Sequence, residues 1–311
     1  MSLKRTFSHE APSTESSASE RDGSEPEERP SKVARRANPV QCAPVTDTND
    51  TLLIFNCPRT SWSGITSLKN VVVFGDSYST PATTEPEPND EDEEDAAGNA
   101  TWVDHLQCRL GDRITAFHNF SFPGSTTEDD LETQLTKFFA KFPPKRSPQS
   151  DPPLDPSRTS FVLHLGINDC GATDEDDLDE IVEKLLDAAH DLYVKAGARN
   201  FIFMDVIPID RTPGAQATDS EDTMRSRVEV WNESLRTRVA EFAESSSRAS
   251  VFLYSTHKTL TEVLDDPEEF GYTVEDVTDE GGGIWLDDIH ATSSVHKILA
   301  ERFAKTFFPD L

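Results

Sequence analysis

The sequence predicts an α/β fold: a three-layer sandwich in which a parallel five-stranded sheet lies between two layers of helices. Two observations carry this. Five short runs of β-branched and aromatic residues recur along the chain, and apolar stripes at helical spacing lie between them. Such alternation implies helical crossovers, which make successive strands parallel and cover both faces of the sheet.

The first run, Val71-Val72-Val73-Phe74, is unbroken by polar residues and ends at Gly75, as a strand buried on both faces requires. Trp102, Leu106 and Leu110 then repeat at four-residue steps, with Val103 beside them, and predict a helix. A second run, Ile114 to Phe122, leads to a stripe at Leu131, Leu135, Phe138, Phe139 and Phe142. The third strand, Phe161 to Leu165, precedes a stripe at Leu178, Ile181, Leu185, Ala189 and Leu192. The fourth, Phe201 to Val206, precedes Met224, Val228, Trp231, Leu235, Val239 and Phe242. Val251 to Tyr254 is the fifth, and a last helix is expected from about Ser294 to Phe307.

One α/β domain should therefore cover roughly residues 60 to 311. Residues 1 to 50 are rich in Ser, Glu, Pro and Arg without apolar periodicity, and read as a disordered polar tail. Two insertions are expected to be mobile surface loops: an acidic one, 81–99, containing Asn89-Asp90-Glu91-Asp92-Glu93-Glu94-Asp95, and a Pro/Ser-rich one, 143–158.

Lys and Arg total 29 against 58 Asp and Glu, a formal charge of -29. A surface that acidic repels phosphate backbones and anionic headgroups, which argues against nucleic-acid or membrane partners and leaves small uncharged or cationic molecules. No apolar segment resembling a secretory signal opens the sequence, and the early run Leu52 to Phe55 is far too short to span a bilayer. A soluble cytoplasmic protein is expected, or a secreted one if translation starts elsewhere. The four cysteines, Cys42, Cys57, Cys108 and Cys170, form no C-x-x-C pair and lie at no zinc-ligand spacing from histidine, which favours thiols in a reducing compartment. Without a secretory signal, the N-x-S/T sequons at Asn49, Asn99, Asn119 and Asn232 are read as chance occurrences.

In an open parallel sheet, function gathers at the carboxyl ends of the strands. The first strand ends in Gly75-Asp76-Ser77-Tyr78-Ser79, the second leads to Pro123-Gly124-Ser125-Thr126, and the third to Gly166-Ile167-Asn168-Asp169. Near the C-terminus stands Trp285-Leu286-Asp287-Asp288-Ile289-His290. Each has a plain structural reading alone: Gly-Asp-Ser is a turn tripeptide, and Asn168-Asp169 would serve as a helix cap. His164 in mid-strand and His190 on a helix read as structural. A nucleophile-bearing Ser, a bare Gly N–H, an amide donor and an Asp-x-x-His in that order are harder to explain without chemistry.

Together, Phe74-Gly75-Asp76-Ser77, Gly124, Gly166-Ile167-Asn168-Asp169 and Asp287-Asp288-Ile289-His290 resemble blocks I, II, III and V of the SGNH (GDSL-type) hydrolases. Within that superfamily the chain is most similar to fungal acetylesterases of carbohydrate esterase family 16. Trp102-Val103-Asp104-His105-Leu106, Ile207-Pro208-Ile209-Asp210-Arg211-Thr212-Pro213, Trp231-Asn232 and Asp266-Pro267-Glu268-Glu269-Phe270-Gly271-Tyr272 support the likeness, which runs from about 70 to 308. It departs from the family pattern in having Ala291 where a proline usually follows the histidine, and Pro123 where a second glycine is frequent.

The resemblance implies a flavodoxin-like sheet and a serine esterase acting on acetyl or other short acyl esters of carbohydrate-like compounds. Ser77 would be the nucleophile, His290 its base and Asp287 the orienter, with Asp288 the competing orienter. Ser77 N–H, Gly124 N–H and the Asn168 side chain would form the oxyanion hole. No metal or organic cofactor is implied, and a monomer with a small-molecule ester as its partner is expected. A lipase, lysophospholipase or thioesterase would use identical chemistry; a non-catalytic interaction protein would have no need of these residues. The G-x-S-x-G elbow of α/β-hydrolases is not matched.

Overall fold

The structure, a computed structural model, describes residues 45–46, 51–58, 67–82, 99–144 and 154–308. The expected tail, except for Val45 and Thr46, falls outside the described residues, as do positions 83–98 of the acidic insertion and 145–153 of the Pro/Ser-rich one.

Among the described residues, seven strands form one sheet: β1 (Val45–Thr46), β2 (Leu52–Asn56), β3 (Asn70–Gly75), β4 (Ala116–Asn119), β5 (Thr159–His164), β6 (Asn200–Met204) and β7 (Ser250–Tyr254), in the order β1-β2-β7-β6-β5-β3-β4. The five strands from β7 to β4 are mutually parallel, as expected, in the order 7-6-5-3-4. The other two are additions. β2 pairs antiparallel with β7 through Leu53↔Leu253 and Ile54↔Phe252, and β1 pairs antiparallel with β2.

The expected domain start near residue 60 is therefore too late, because the sheet takes in Leu52–Asn56. β2 is only half-buried, and its hydrogen-bonding partner lies about two hundred residues onward, so nothing local marks its four apolar residues as part of the core. The strand expected at 114–122 is also shorter, because β4 is the sheet edge and its ladder with β3 closes at Val73↔Asn119.

Period-two alternation along the strands divides the core. Val72, Phe74, Phe161, Leu163, Phe201, Phe203, Val251 and Leu253 share one cluster with α2 (Leu131–Lys141), α4 (Leu178–Asp191) and α6 (Glu221–Ser245). Val71, Val73, Val162, Ile202, Met204, Phe252 and Tyr254 share the other with α1 (Trp102–Leu110) and α8 (Ser293–Phe307). Each buried Leu or Phe stabilises the fold by about 1.5–3 kcal/mol, so the two clusters fix the layers. The three-layer sandwich is thus the observed architecture.

Three helices have no counterpart in the sequence reading: α3 (Ile167–Ala172), α5 (Pro213–Ala217) and α7 (Thr256–Asp265). The first two are too short to show a stripe, and α7 buries Leu260, Val263 and Leu264 among Thr, Lys and Glu. Among the described residues no helix is long and apolar enough to cross a membrane. The parallel strands present their carboxyl ends together, at Gly75, Asn119, His164, Met204 and Tyr254.

Candidate active site

At the end of β3 the chain turns sharply into a single 3₁₀ turn, Ser77–Ser79. Gly75 is required there: a Cβ would lie 2.8 Å from Ser79 Cβ and 3.0 Å from the His164 carbonyl. Gln134 of α2 holds the strand end by donating to Gly75 O at 2.7 Å and accepting from Gly75 N at 3.0 Å. Asp76 Oδ1 accepts the Tyr78 N–H at 2.9 Å, which shapes the turn. Ser79 Oγ accepts from Trp102 Nε1 at 3.1 Å and bonds His164 Nδ1 at 3.2 Å, anchoring the turn from below. Ser77 alone of these is only half-buried.

Folding brings His290 to it across 213 residues: Nε2 stands 2.8 Å from Ser77 Oγ. On the other side of the ring, Nδ1 is 2.8 Å from Asp287 Oδ2. Asp287 Oδ1 meanwhile accepts the N–H groups of Ile289 at 2.9 Å and His290 at 2.7 Å, so one oxygen shapes the turn while the other holds the imidazole. Partial burial pushes the Asp287 carboxyl up, but these hydrogen bonds prevail and hold it below the usual carboxylate range. Asp288, the competing orienter, is exposed and engages through its carbonyl, which accepts Gly214 N–H at 2.8 Å.

Gly124, exposed, adopts φ +73°, the left-handed region that glycine tolerates. Asn168, in the first turn of α3, donates through Nδ2 to Ser125 O at 2.9 Å, one residue past Gly124. The neighbouring Asp169 accepts Thr127 N–H at 2.9 Å and Glu128 N–H at 3.2 Å, so the first turn of α3 fastens the loop after β4. Neither Ser77 N–H nor Gly124 N–H is spent on a protein acceptor among the described residues.

Two buried carboxyls lie beneath the site. Burial, reinforced by the nearby Asp169 charge, raises Asp76 to about 7 against the bond from Tyr78 N–H. Burial raises Asp169 as well. His164, expected to be structural, is fully buried and pushed down to about 4, and His296 to about 3, both by burial.

Several supporting residues escaped sequence reasoning. Tyr78 is fully buried, and its hydroxyl donates to Ile289 O. Gly166 has φ +124° and lies flat against Trp231, where a Cβ would be 2.3 Å from Cε2. Gly214 abuts Asp288, whose carbonyl would be 2.9 Å from a Cβ there. The quoted pairs Gly166-Ile167 and Trp231-Asn232 held a signal for the second contact, but only as separate motifs. Two of the sequon asparagines have structural work: Asn119 donates to Ser79 O at 2.6 Å, and Asn232 exchanges bonds with Val206 N and O at 2.9 and 3.0 Å.

The chain is 26% identical over 268 residues to an acetylesterase of Thermothelomyces thermophilus, covering 76% of this chain and 88% of that protein. Its fold is similar to that of Axe2, an acetylxylan esterase from Geobacillus stearothermophilus, with 16% identity, a TM-score of 0.50 and coverage of 78% of this chain and 97% of that one. A variant of Axe2, described as an acetyl-xylooligosaccharide esterase, gives 18% identity and a TM-score of 0.51, with coverage of 78% and 96%. The GDSL-like lipase/acylhydrolase family model matches residues 71–303, spanning the nucleophile turn, the Asn168 segment and the Asp287–His290 turn, and the chain belongs to that family of ester hydrolases.

Proposed function

We propose that the protein hydrolyses acetyl or other short acyl esters of carbohydrate-like substrates through an acyl-enzyme on Ser77. The observation that carries this reading is the unbroken chain of contacts Ser77 Oγ–His290 Nε2 and His290 Nδ1–Asp287 Oδ2, both 2.8 Å. His290 Nε2 takes the hydroxyl proton as Ser77 Oγ attacks the ester carbonyl, and Nδ1–H donates to Asp287, which fixes the tautomer and stabilises the imidazolium. The same proton then passes to the departing alcohol. Water, activated by His290, releases the acid and restores Ser77.

The developing oxyanion would be met by Ser77 N–H, Gly124 N–H and the second amide proton of Asn168. Asn168 is suited to this because its first amide proton already fixes it to Ser125 O. The formal charge of -29 favours neutral esters over anionic ones. The acetylesterase relative and the acetylxylan esterase neighbours support acetyl as the acyl group and a sugar as the alcohol.

Hydrolysis of acetyl, butyryl and octanoyl p-nitrophenyl esters, alongside acetylated xylooligosaccharides, tests the substrate class. The expected result is the highest kcat/KM with acetyl groups, and release of acetate from the sugar esters. A preference for octanoyl over acetyl by about tenfold or more, some 1.4 kcal/mol of transition-state binding, would assign the chain to the lipase or thioesterase branch instead.

A further inference from the structure

The side chain next to Ser77 reaches the turn that carries His290. Tyr78 is fully buried, and its hydroxyl donates to the Ile289 carbonyl at 2.7 Å while accepting the Ala291 N–H at 3.3 Å. These are the backbone groups on either side of His290, 211 and 213 residues onward from Tyr78. The phenol ring lies 6.1 Å from the imidazole, tilted by 31°. His296 at 5.2 Å and His164 at 6.4 Å wall it in from other sides, both edge-on. Burial raises the phenol's own pKa, so the hydroxyl keeps its proton and remains a donor.

The Asp287 bonds orient the imidazole but cannot set its distance from Ser77, since Asp287 and His290 ride on one turn and would move together. The Tyr78 bonds are different, because they join that turn to the turn bearing the nucleophile. Ser77 and Tyr78 are adjacent, so the connection closes a short ring: the Ser77–Tyr78 backbone, the rigid phenol, the backbone beside His290, the imidazole, and the hydrogen bond back to Ser77 Oγ. A phenol suits this role because its length is fixed and only two torsions need locking.

We propose that Tyr78 is a positioning residue: its hydroxyl, held between Ile289 O and Ala291 N, sets the distance between His290 Nε2 and Ser77 Oγ. This rests on the reading of Ser77 and His290 as nucleophile and base.

The test is Tyr78→Phe, which removes one oxygen and keeps the ring, assayed with p-nitrophenyl acetate beside Ser77→Ala and His290→Ala. In the protein retaining His290, kcat should fall about tenfold with KM within about twofold, since the loss is one of geometry in the reacting complex. In the His290→Ala background the same change should alter the residual rate by less than about twofold, because there is no imidazole left to position. 4-Aminophenylalanine at position 78 restores a donor toward Ile289 O and should recover part of the lost kcat in the His290 protein alone. Should Tyr78→Phe not fold, this amino variant compared in both backgrounds gives the decision, with a reduced rate expected only where His290 is present. Wild-type kcat for Tyr78→Phe, or an equal loss with and without His290, overturns the proposal while leaving the nucleophile and base intact. If Ser77→Ala or His290→Ala keeps full activity, the underlying reading fails instead.

Discussion

Gly166 joins the core to the candidate oxyanion donor, and Gly166→Ala measures that connection. Its φ of +124° lies where only glycine is at ease, so another residue costs on the order of 1–3 kcal/mol. The added Cβ would also sit 2.3 Å from Cε2 of Trp231, whose side chain is fully buried and has no room to withdraw. Overpacking of that kind adds about 1–3 kcal/mol. The total, roughly 2–6 kcal/mol, corresponds to a fall in Tm of about 4–24 °C at ~2–4 °C per kcal/mol for a domain of this size.

Gly166 also caps α3 through its carbonyl, which accepts Cys170 N–H at 2.9 Å, and Asn168 stands two residues on. Relief of the clash by a shift of α3 would therefore move the Asn168 amide, and kcat should fall about tenfold or more. Calorimetry and p-nitrophenyl acetate turnover, measured well below Tm, separate the two effects. Trp231→Leu in the Gly166→Ala background removes the collision but not the backbone strain, so the double variant should lose less stability than the sum by about 1–2 kcal/mol. A Gly166→Ala protein melting within about 2 °C of wild type, or strictly additive losses, would refute the packing account.

Three other outcomes are expected. Asn168→Ala should lower kcat about a hundredfold with KM little changed, measured by steady-state kinetics. Asp287→Asn keeps an oxygen for the turn but loses the acceptor for His290 Nδ1–H, and kcat should fall by about two to four powers of ten without loss of fold, checked by circular dichroism. Asp76, raised from 3.8 to about 7, holds its proton in the folded chain where the unfolded chain has lost it. Its stabilisation is thus fully present below pH 4 and declines as pH rises through 7. Relative to Asp76→Asn, wild type should lose up to about 4 kcal/mol between those limits, read from urea melts across pH. A difference independent of pH would show that Asp76 is ionised in the folded protein.

What could be read from the sequence follows physical locality. Four of the five parallel strands, β3, β5, β6 and β7, announced themselves because both of their faces are buried, so runs such as Val71–Phe74 contain no polar residue. The amphipathic stripes of α1, α2, α4, α6 and α8 were equally plain, since every third or fourth residue meets the sheet. Ser77 and Asn168 could be found because each lies in a short motif at an expected strand end, and Asp287 and His290 because they form a short Asp-x-x-His motif near the C-terminus. β2 could not, because its short apolar run Leu52–Phe55 is half-buried and added antiparallel to β7, with no crossover helix to tie it to the sheet. Tyr78 was visible as a neighbour of Ser77, but nothing near it in sequence names Ile289 O as its acceptor. Gly166 likewise reads as a turn glycine until Trp231 is seen against it. Patterns of one element are legible, whereas single contacts between distant elements are settled only by the packed fold.

The account depends most directly on Ser77 acting as the nucleophile. Peptide mapping after treatment with a fluorophosphonate probe, run in parallel on wild type and Ser77→Ala with acetate release monitored, decides it. The account predicts a single adduct on the peptide bearing Ser77, absent in the variant, with hydrolysis abolished in both treated wild type and variant. Undiminished hydrolysis by Ser77→Ala, or an adduct on another serine that accompanies inactivation, would contradict it.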